Sequence, residues 1–293
     1  MSNNPSVVVL LAAYNGIRWI NDQINSILNQ KQVNIVVYIS VDLSSDGTYE
    51  WCKELASKNK LIKILPYGDQ FGGAAKNFFR LIKEVDFNSY EYISLADQDD
   101  IWLPDKLYRA INLIKDGQLE GYSSNVIAFW EDGRKKLIKK SYPQRKFDYY
   151  FESAGPGCTF VLKEKSFKKF KKFLIENWDT INDIKLHDWI IYAYFRSLSM
   201  SWYIDKTPSL YYRQHDRNEI GANVNLKAYL NRFKKIKDKW YRGEVKKIIR
   251  LLKMYEKKNI SLERFFLIAN FYNFRRRLRD AFFLLLMNIL RIF

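Results

Sequence analysis

The chain alternates short apolar runs with polar loops and helix-period stretches. The run Val7-Val8-Val9-Leu10-Leu11 ends in the turn-forming pair Asn15-Gly16, and Ile20, Ile24, Ile27 and Leu28 follow at three- and four-residue spacing, which predicts strand, loop, helix. The unit recurs. A β-rich run over residues 35–41 leads into Asp42-Leu43-Ser44-Ser45-Asp46-Gly47-Thr48, whose Ser and Asp side chains suit the cap of a helix carrying Trp51, Leu55 and Ala56. A third strand at 62–65 passes through Gly72-Gly73-Ala74-Ala75 to a helix around Phe78, Leu81 and Ile82. A fourth at 90–95 runs into Ala96-Asp97-Gln98-Asp99-Asp100. This alternation predicts an α/β fold, a mostly parallel Rossmann-like sheet with helices on both faces. Residues 119–159 are less regular; a helix near 182–197, a strand near 202–204 and the segment Tyr211-Tyr212-Arg213-Gln214-His215 follow. From about Leu226 the pattern is helical, basic and aromatic.

In such sheets ligands bind beyond the carboxyl ends of the strands, which here carry Tyr14-Asn15-Gly16, Asp42 and residues 97–100. Asp97, Asp99 and Asp100 offer hard oxygen ligands, and acids so crowded repel one another unless a cation neutralises them. An acidic turn capping the helix that begins at Lys106 accounts for the same residues. Asp42 and Asp46 suit either hydrogen bonds to a base or ribose or ordinary turn capping. Asp188, in His187-Asp188-Trp189, is either a helix cap or a general base beside an aromatic floor. His215, one of only 2 histidines, is either a loop residue or a ligand.

Charge changes the picture at one end only. The chain of 293 residues has a net charge of +17, and from Ala222 onward 19 Lys and Arg face 5 Asp and Glu. Two domains are therefore expected, at 1–221 and 222–293. The tail sets Arg275-Arg276-Arg277-Leu278-Arg279 beside Phe282-Phe283-Leu284-Leu285-Leu286-Met287. That stretch falls short of the roughly 20 apolar residues of a span, so it is expected either to lie on an anionic membrane surface or to pack as a helical hairpin on the α/β domain or on a second copy. No motif accompanies the charge that would indicate nucleic acid. Two cysteines make no disulfide framework and no zinc spacing, which suits a reducing compartment. The N-terminus lacks a basic n-region and reads as a buried first strand. The P-loop, dinucleotide, hydrolase-elbow and zincin motifs are all missing.

Five stretches together resemble the family 2 glycosyltransferases of the GT-A fold, in their bacterial rhamnosyltransferase-like branch. They are Ala12-Ala13-Tyr14-Asn15-Gly16; the loop of residues 42–48; Ala96-Asp97-Gln98-Asp99-Asp100-Ile101-Trp102-Leu103-Pro104-Asp105-Lys106-Leu107; His187-Asp188-Trp189; and Tyr212-Arg213-Gln214-His215. The resemblance covers about residues 6–222. It implies a nucleotide held by Ala12, Tyr14, Asn15, Asp42 and Asp97, and Mg²⁺ or Mn²⁺ on Asp99 and His215. It further implies Asp188 as catalytic base, with Trp102, Trp189 and Arg213 near the donor or acceptor. The usual paired Asp after the second strand is Val41-Asp42 here, which leaves the shape of that loop open. An inverting transfer from a dTDP- or UDP-sugar to a lipid-linked saccharide, in O-antigen or capsule synthesis at the cytoplasmic face of the plasma membrane, is the function the resemblance implies.

Overall fold

The computed structural model describes residues 4–215, 239–255 and 260–293. Its first eight-residue strand, β1 (Ser6–Ala13), pairs in parallel with β2 (Asn34–Val41) on one side and with β4 (Tyr92–Asp97) on the other, and β2 continues to β3 (Ile62–Ile64). Val8, Leu10 and Ala12 face one apolar layer while Val7, Val9, Leu11 and Ala13 face another. A strand apolar on both sides belongs in the middle of a covered sheet, which is why β1 reads as an unbroken hydrophobic run.

On one face lie α1 (Ile20–Leu28), α2 (Thr48–Lys58) and α4 (Lys106–Asp116), contributing Ile20, Ile24, Ile27, Cys52, Leu107, Ile111 and Ile114. The opposite face receives α3 (Ala74–Glu84), α5 (Glu164–Glu176) and α7 (His187–Ser197), with Phe78, Leu81, Phe170, Ile190 and Ile191; the one-turn helix α6 (Trp178–Ile181) precedes α7. The predicted layers are therefore present.

The irregular middle holds more order than its sequence pattern conveys. It supplies β6 (Gly121–Ser124) and leads to β9 (Val161–Lys163), which runs antiparallel between β4 and β6, and β10 (Trp202–Asp205) closes the seven-stranded sheet beside β6. A second sheet of four strands, β5 (Ile101–Trp102), β11 (Leu210–Arg213), β7 (Val126–Phe129) and β8 (Lys135–Ile138), crosses near the acidic loop. Strands of two to four residues carry too few positions for a period to show.

The C-terminal helices α8 (Trp240–Leu252), α9 (Arg264–Ala269) and α10 (Leu278–Ile289) have no separate core. Val245, Ile248, Leu252, Leu267, Phe274, Leu284 and Met287 join the apolar cluster that contains Phe78 and Trp189. The expected division at residues 221 and 222 lies outside the described residues, as do residues 222–238 of the basic helical segment. What is described of that region packs on the catalytic unit. Among the described residues no helix is long and apolar enough to cross a membrane.

Arg276 fixes this docking. It is 4% exposed; it donates to Asp148 Oδ2 at 3.3 Å and to the Ser153 carbonyl at 2.5 Å, and it pairs with Glu152 at 3.6 Å. Asp148 is fully buried, receives the Tyr192 hydroxyl at 3.0 Å and faces Arg196 at 3.4 Å. Burial pushes its carboxyl up, against the pull of Arg276 and Arg196. Removing one partner strands the other in a medium that solvates it poorly. Arg276→Met is therefore expected to lower the unfolding free energy by about 3–5 kcal/mol, read as a shifted urea midpoint, while Arg279→Met, on the exposed side of α10, shifts it little.

Candidate active site

Parallel register sets the site. Ala12 lies opposite Asp97 and Ala13 opposite Val41, so three strands end at the same level and deliver their loops to one cleft. The cleft has a volume of about 980 Å³, and its walls include Ala12, Tyr14, Asn15, Asp42, Asp97 and Asp99, with Asp188 and His215. These are eight of the eleven residues to which the resemblance assigns a role.

The loops are cross-tied by hydrogen bonds. Gln98 accepts the Tyr14 N–H at 2.8 Å and returns a bond to the Tyr14 carbonyl at 2.8 Å. A Cβ on Gly16 would come within 2.1 Å of Gln98 Oε1, so a larger residue there would displace the side chain that ties the first loop to the acidic one. Asn15, at φ 46°, accepts the Ser45 N–H at 2.8 Å. Asp46 Oδ1 takes the Thr48 N–H at 3.1 Å, and its Oδ2 takes the Ile17 N–H at 3.2 Å. Asp46 is thereby a clasp between the first two loops.

Asp42, 4% exposed, accepts the N–H groups of Leu43 and Phe71 at 2.8 Å on Oδ1, and that of Gly72 at 3.1 Å on Oδ2. It ties the Gly72-Gly73 loop into the cleft wall, which gives the departure at Val41-Asp42-Leu43 a definite loop shape. Asn77 on α3 completes the tie, donating to the Ala13 carbonyl at 3.3 Å and the Ser40 carbonyl at 3.0 Å.

The acidic loop separates three carboxylates. Asp97 ends β4 at the cleft. Asp99 Oδ2 lies 2.8 Å from His215 Nε2, and the His215 ring stacks on Trp19 at 3.9 Å between centroids with 12° between planes. Asp100 turns inward, is fully buried and accepts the Arg213 N–H at 3.2 Å. Burial first, then Asp99 and Asp97, push its carboxyl well above the usual range. Side-chain atoms of Asp97, Asp100 and Cys158 fall within 4.8 Å of one another. Burial also pushes the Cys158 thiol well up. Beneath, Lys106 is fully buried over the Trp102 ring at 3.2 Å and donates to Ser94 Oγ at 3.1 Å; burial lowers it to about 7.

Across the cleft Asp188 opens α7, half-buried, with Oδ1 accepting its neighbour's N–H at 2.8 Å. Desolvation raises its carboxyl to about 6, against hydrogen bonds from Ser153 and the Trp189 amide and the charge of Lys140. A carboxylate of raised pKa that faces a cleft is a stronger base than an ordinary surface acid. His187 stacks on Phe78 at 4.0 Å, and burial lowers it to about 3, so it is neutral near pH 7.

Three expected contacts do not reach the cleft. Trp102 is 3% exposed and packs under Lys106; Trp189 is 2% exposed, donates from Nε1 to the Tyr149 carbonyl at 2.9 Å and sits in the core. The aromatic floor expected beside Asp188 is thus interior packing, because α7 points Trp189 back toward the core. Arg213 braces the acidic loop instead, donating to the Asp99 carbonyl at 2.8 Å and to Asp22 on α1 at 3.1 Å. Conversely, Lys140, Glu152, Ser153, Lys185 and Arg275 line the cleft with no sequence signal of their own. Arg275 was legible only as one member of the basic run.

The small-residue segment before β9 has a role in packing. A Cβ on Gly157 would stand 2.4 Å from His187 Nε2 and 3.4 Å from the Asp188 Cβ. Gly157→Ala is therefore expected to push α7's first turn out of place. The change should cost about 1–3 kcal/mol of stability and lower turnover; thermal unfolding and product formation on the same preparation check both.

The family model described as "Glycosyl transferase family 2" matches residues 8–173. The chain is 46% identical over 289 residues to the dTDP-rhamnosyl transferase RfbG of Shigella flexneri, covering 97% of this chain and 100% of that one. Among solved structures, S. aureus TarS 1-349 in complex with UDP superposes with a TM-score of 0.57 at 14% identity, covering 98% of this chain and 82% of that one; the chain spans 47% of the longer TarS structure. The mannosyltransferase PcManGT from Pyrobaculum calidifontis, in complex with GDP-Man and Mn²⁺, gives 0.52 at 14% identity, covering 98% and 80%. The family model spans more than half of the chain, well beyond the strand-end loops, and the chain belongs to glycosyl transferase family 2.

Proposed function

We propose that this glycosyltransferase moves L-rhamnose from dTDP-rhamnose, with inversion, to a hydroxyl of a lipid-linked saccharide. The observation that carries the reading is that Asp188, of raised basicity, and the Asp97, Asp99 and His215 group line one cleft. One wall suits a leaving diphosphate and the other an attacking hydroxyl.

Asp188 takes the acceptor proton as the oxygen attacks the anomeric carbon from the face opposite the diphosphate. Ala12, Tyr14, Asn15, Asp42 and Asp97 form the donor side, where the exposed Tyr14 ring suits stacking on a base. The residues present fit a divalent cation: Asp99 and His215 set an oxygen and a nitrogen 2.8 Å apart, with Asp97 on the same loop. Mg²⁺ or Mn²⁺ held there supplies charge neutralisation to the departing diphosphate. The dTDP-rhamnose donor is supported by the named activity of the Shigella relative; a UDP-hexose donor is the alternative. The basic, apolar C-terminal face supports work at the inner face of the plasma membrane on O-antigen or capsule intermediates.

Calorimetric titration with dTDP and UDP, each with and without Mn²⁺, tests donor and metal together. Tighter, metal-dependent binding of dTDP is expected; a UDP preference changes the donor, and no binding of either points to a silent scaffold. Asp99→Ala should weaken the metal-dependent part. Asp188→Asn should leave nucleotide binding intact and lower turnover about 10²–10⁴-fold; full activity in both variants would overturn the site.

The pH profile follows from Asp188. The base works ionised, and its pKa is raised to about 6, so below that value transfer should fall about tenfold per pH unit. A profile flat down to pH 4 would exclude Asp188 as the base.

A further inference from the structure

A second concavity, of about 740 Å³, lies among α8, α9 and the end of α10. Lys239, Arg242, Lys246, Arg264 and Arg291 line it, Phe293 closes it, and among the described residues no acidic side chain lines it. Arg242 donates to the Phe293 and Leu262 carbonyls at 2.5 and 3.3 Å; Arg264 donates to the Asn288 and Ile289 carbonyls at 3.0 and 2.8 Å. The neutral Leu262, Asn288 and Ile289 carbonyls orient the guanidinium groups without cancelling their charge. The nearby Glu244 on α8 turns the other way, to Lys247 Nζ at 3.0 Å and the Lys185 N–H at 3.0 Å. Lys239, Lys246, Arg264 and Arg291 set four like charges round the hollow, which repel one another and are relieved by a polyvalent anion.

Apolar surface adjoins the same hollow. Phe265, beside Arg264, is 84% exposed; Leu286, Ile289 and Leu290, beside Asn288 and Arg291, are 50%, 47% and 57% exposed. A soluble anion needs only the cations and an apolar partner only the exposed face, so the pair together fits an amphiphile with a charged phosphate head. We propose that the hollow binds the terminal phosphate or diphosphate group of a membrane lipid whose hydrocarbon chain lies along the exposed face of α10.

The hollow is linked to the cleft through α8. Tyr241 precedes Arg242; its ring lies 5.7 Å from that of Phe293 and 5.8 Å from that of Trp189, the neighbour of Asp188. Its hydroxyl receives Arg275, a cleft residue, at 2.8 Å. A sugar carried on such a lipid is thereby anchored beside the wall that holds the base, and this last point alone rests on the proposed transferase reading.

The test is flotation of the full chain with phosphatidylcholine vesicles carrying either phosphatidylglycerol or, at matched surface charge, a long-chain polyprenyl diphosphate, with inorganic pyrophosphate as competitor. Preferential binding to the diphosphate vesicles is expected, with pyrophosphate competing. Lys246→Glu/Arg291→Glu, both exposed, should remove about tenfold or more of that binding and leave dTDP binding unchanged. Leu286→Ser/Leu290→Ser should weaken vesicle binding. Equal binding at matched charge, or a preference that survives Lys246→Glu/Arg291→Glu, overturns the site. If the preference holds while no nucleotide binds, the lipid site stands and the transferase reading falls.

Discussion

Everything at the cleft depends on the parallel pairing of β1 with β2 and β4. Side chains in a strand alternate between faces, so a slip of one residue would send Val8, Leu10 and Ala12 to the wrong layer. Both layers are dry and apolar here, and the register is fixed by burial on two sides at once. With Ala12 held opposite Asp97 and Ala13 opposite Val41, the loops after the three strands have no choice but to meet. Gly16, Gln98 and the clasp at Asp46 then set how closely they approach.

That meeting produces two carboxylate environments on facing walls. Asp97 ends a strand and Asp99 follows it beside the His215 ring, the setting proposed for a cation. Asp188 stands at a helix start against packed side chains, where losing water raises its affinity for a proton. On the proposed reading the same residue type would serve a metal on one wall and a proton on the other, as the chemistry of an activated leaving group and a neutral nucleophile requires.

The basic C-terminal region does two jobs with one composition. Arg275 and Arg276 turn inward, against Glu152 and the fully buried Asp148, and so become part of the catalytic unit. Lys246, Arg264 and Arg291 stay outside, beside exposed Phe265 and Leu290, and keep their charge for a partner. Helix packing divides them: α10 lays Leu284 and Met287 on the core, which leaves Leu286 and Leu290 on the far side.

The sequence by itself determined the layered α/β fold and the loops that meet at the cleft, and it marked Asp97, Asp99, Asp188 and His215 as candidates, because long apolar strands and motif spacing are local properties of the chain. It could not separate the roles of neighbouring residues: whether Trp189 faces cleft or core depends on how α7 sits, and whether Arg276 is a surface charge depends on a partner at Asp148. The tertiary structure alone decided these, along with β9's antiparallel insertion and the gathering of Lys140, Glu152 and Arg275 at the cleft. Those contacts join segments from tens to more than a hundred residues apart, and burial, the quantity that sets their charge and their partners, is a property of the packed chain and of no segment within it.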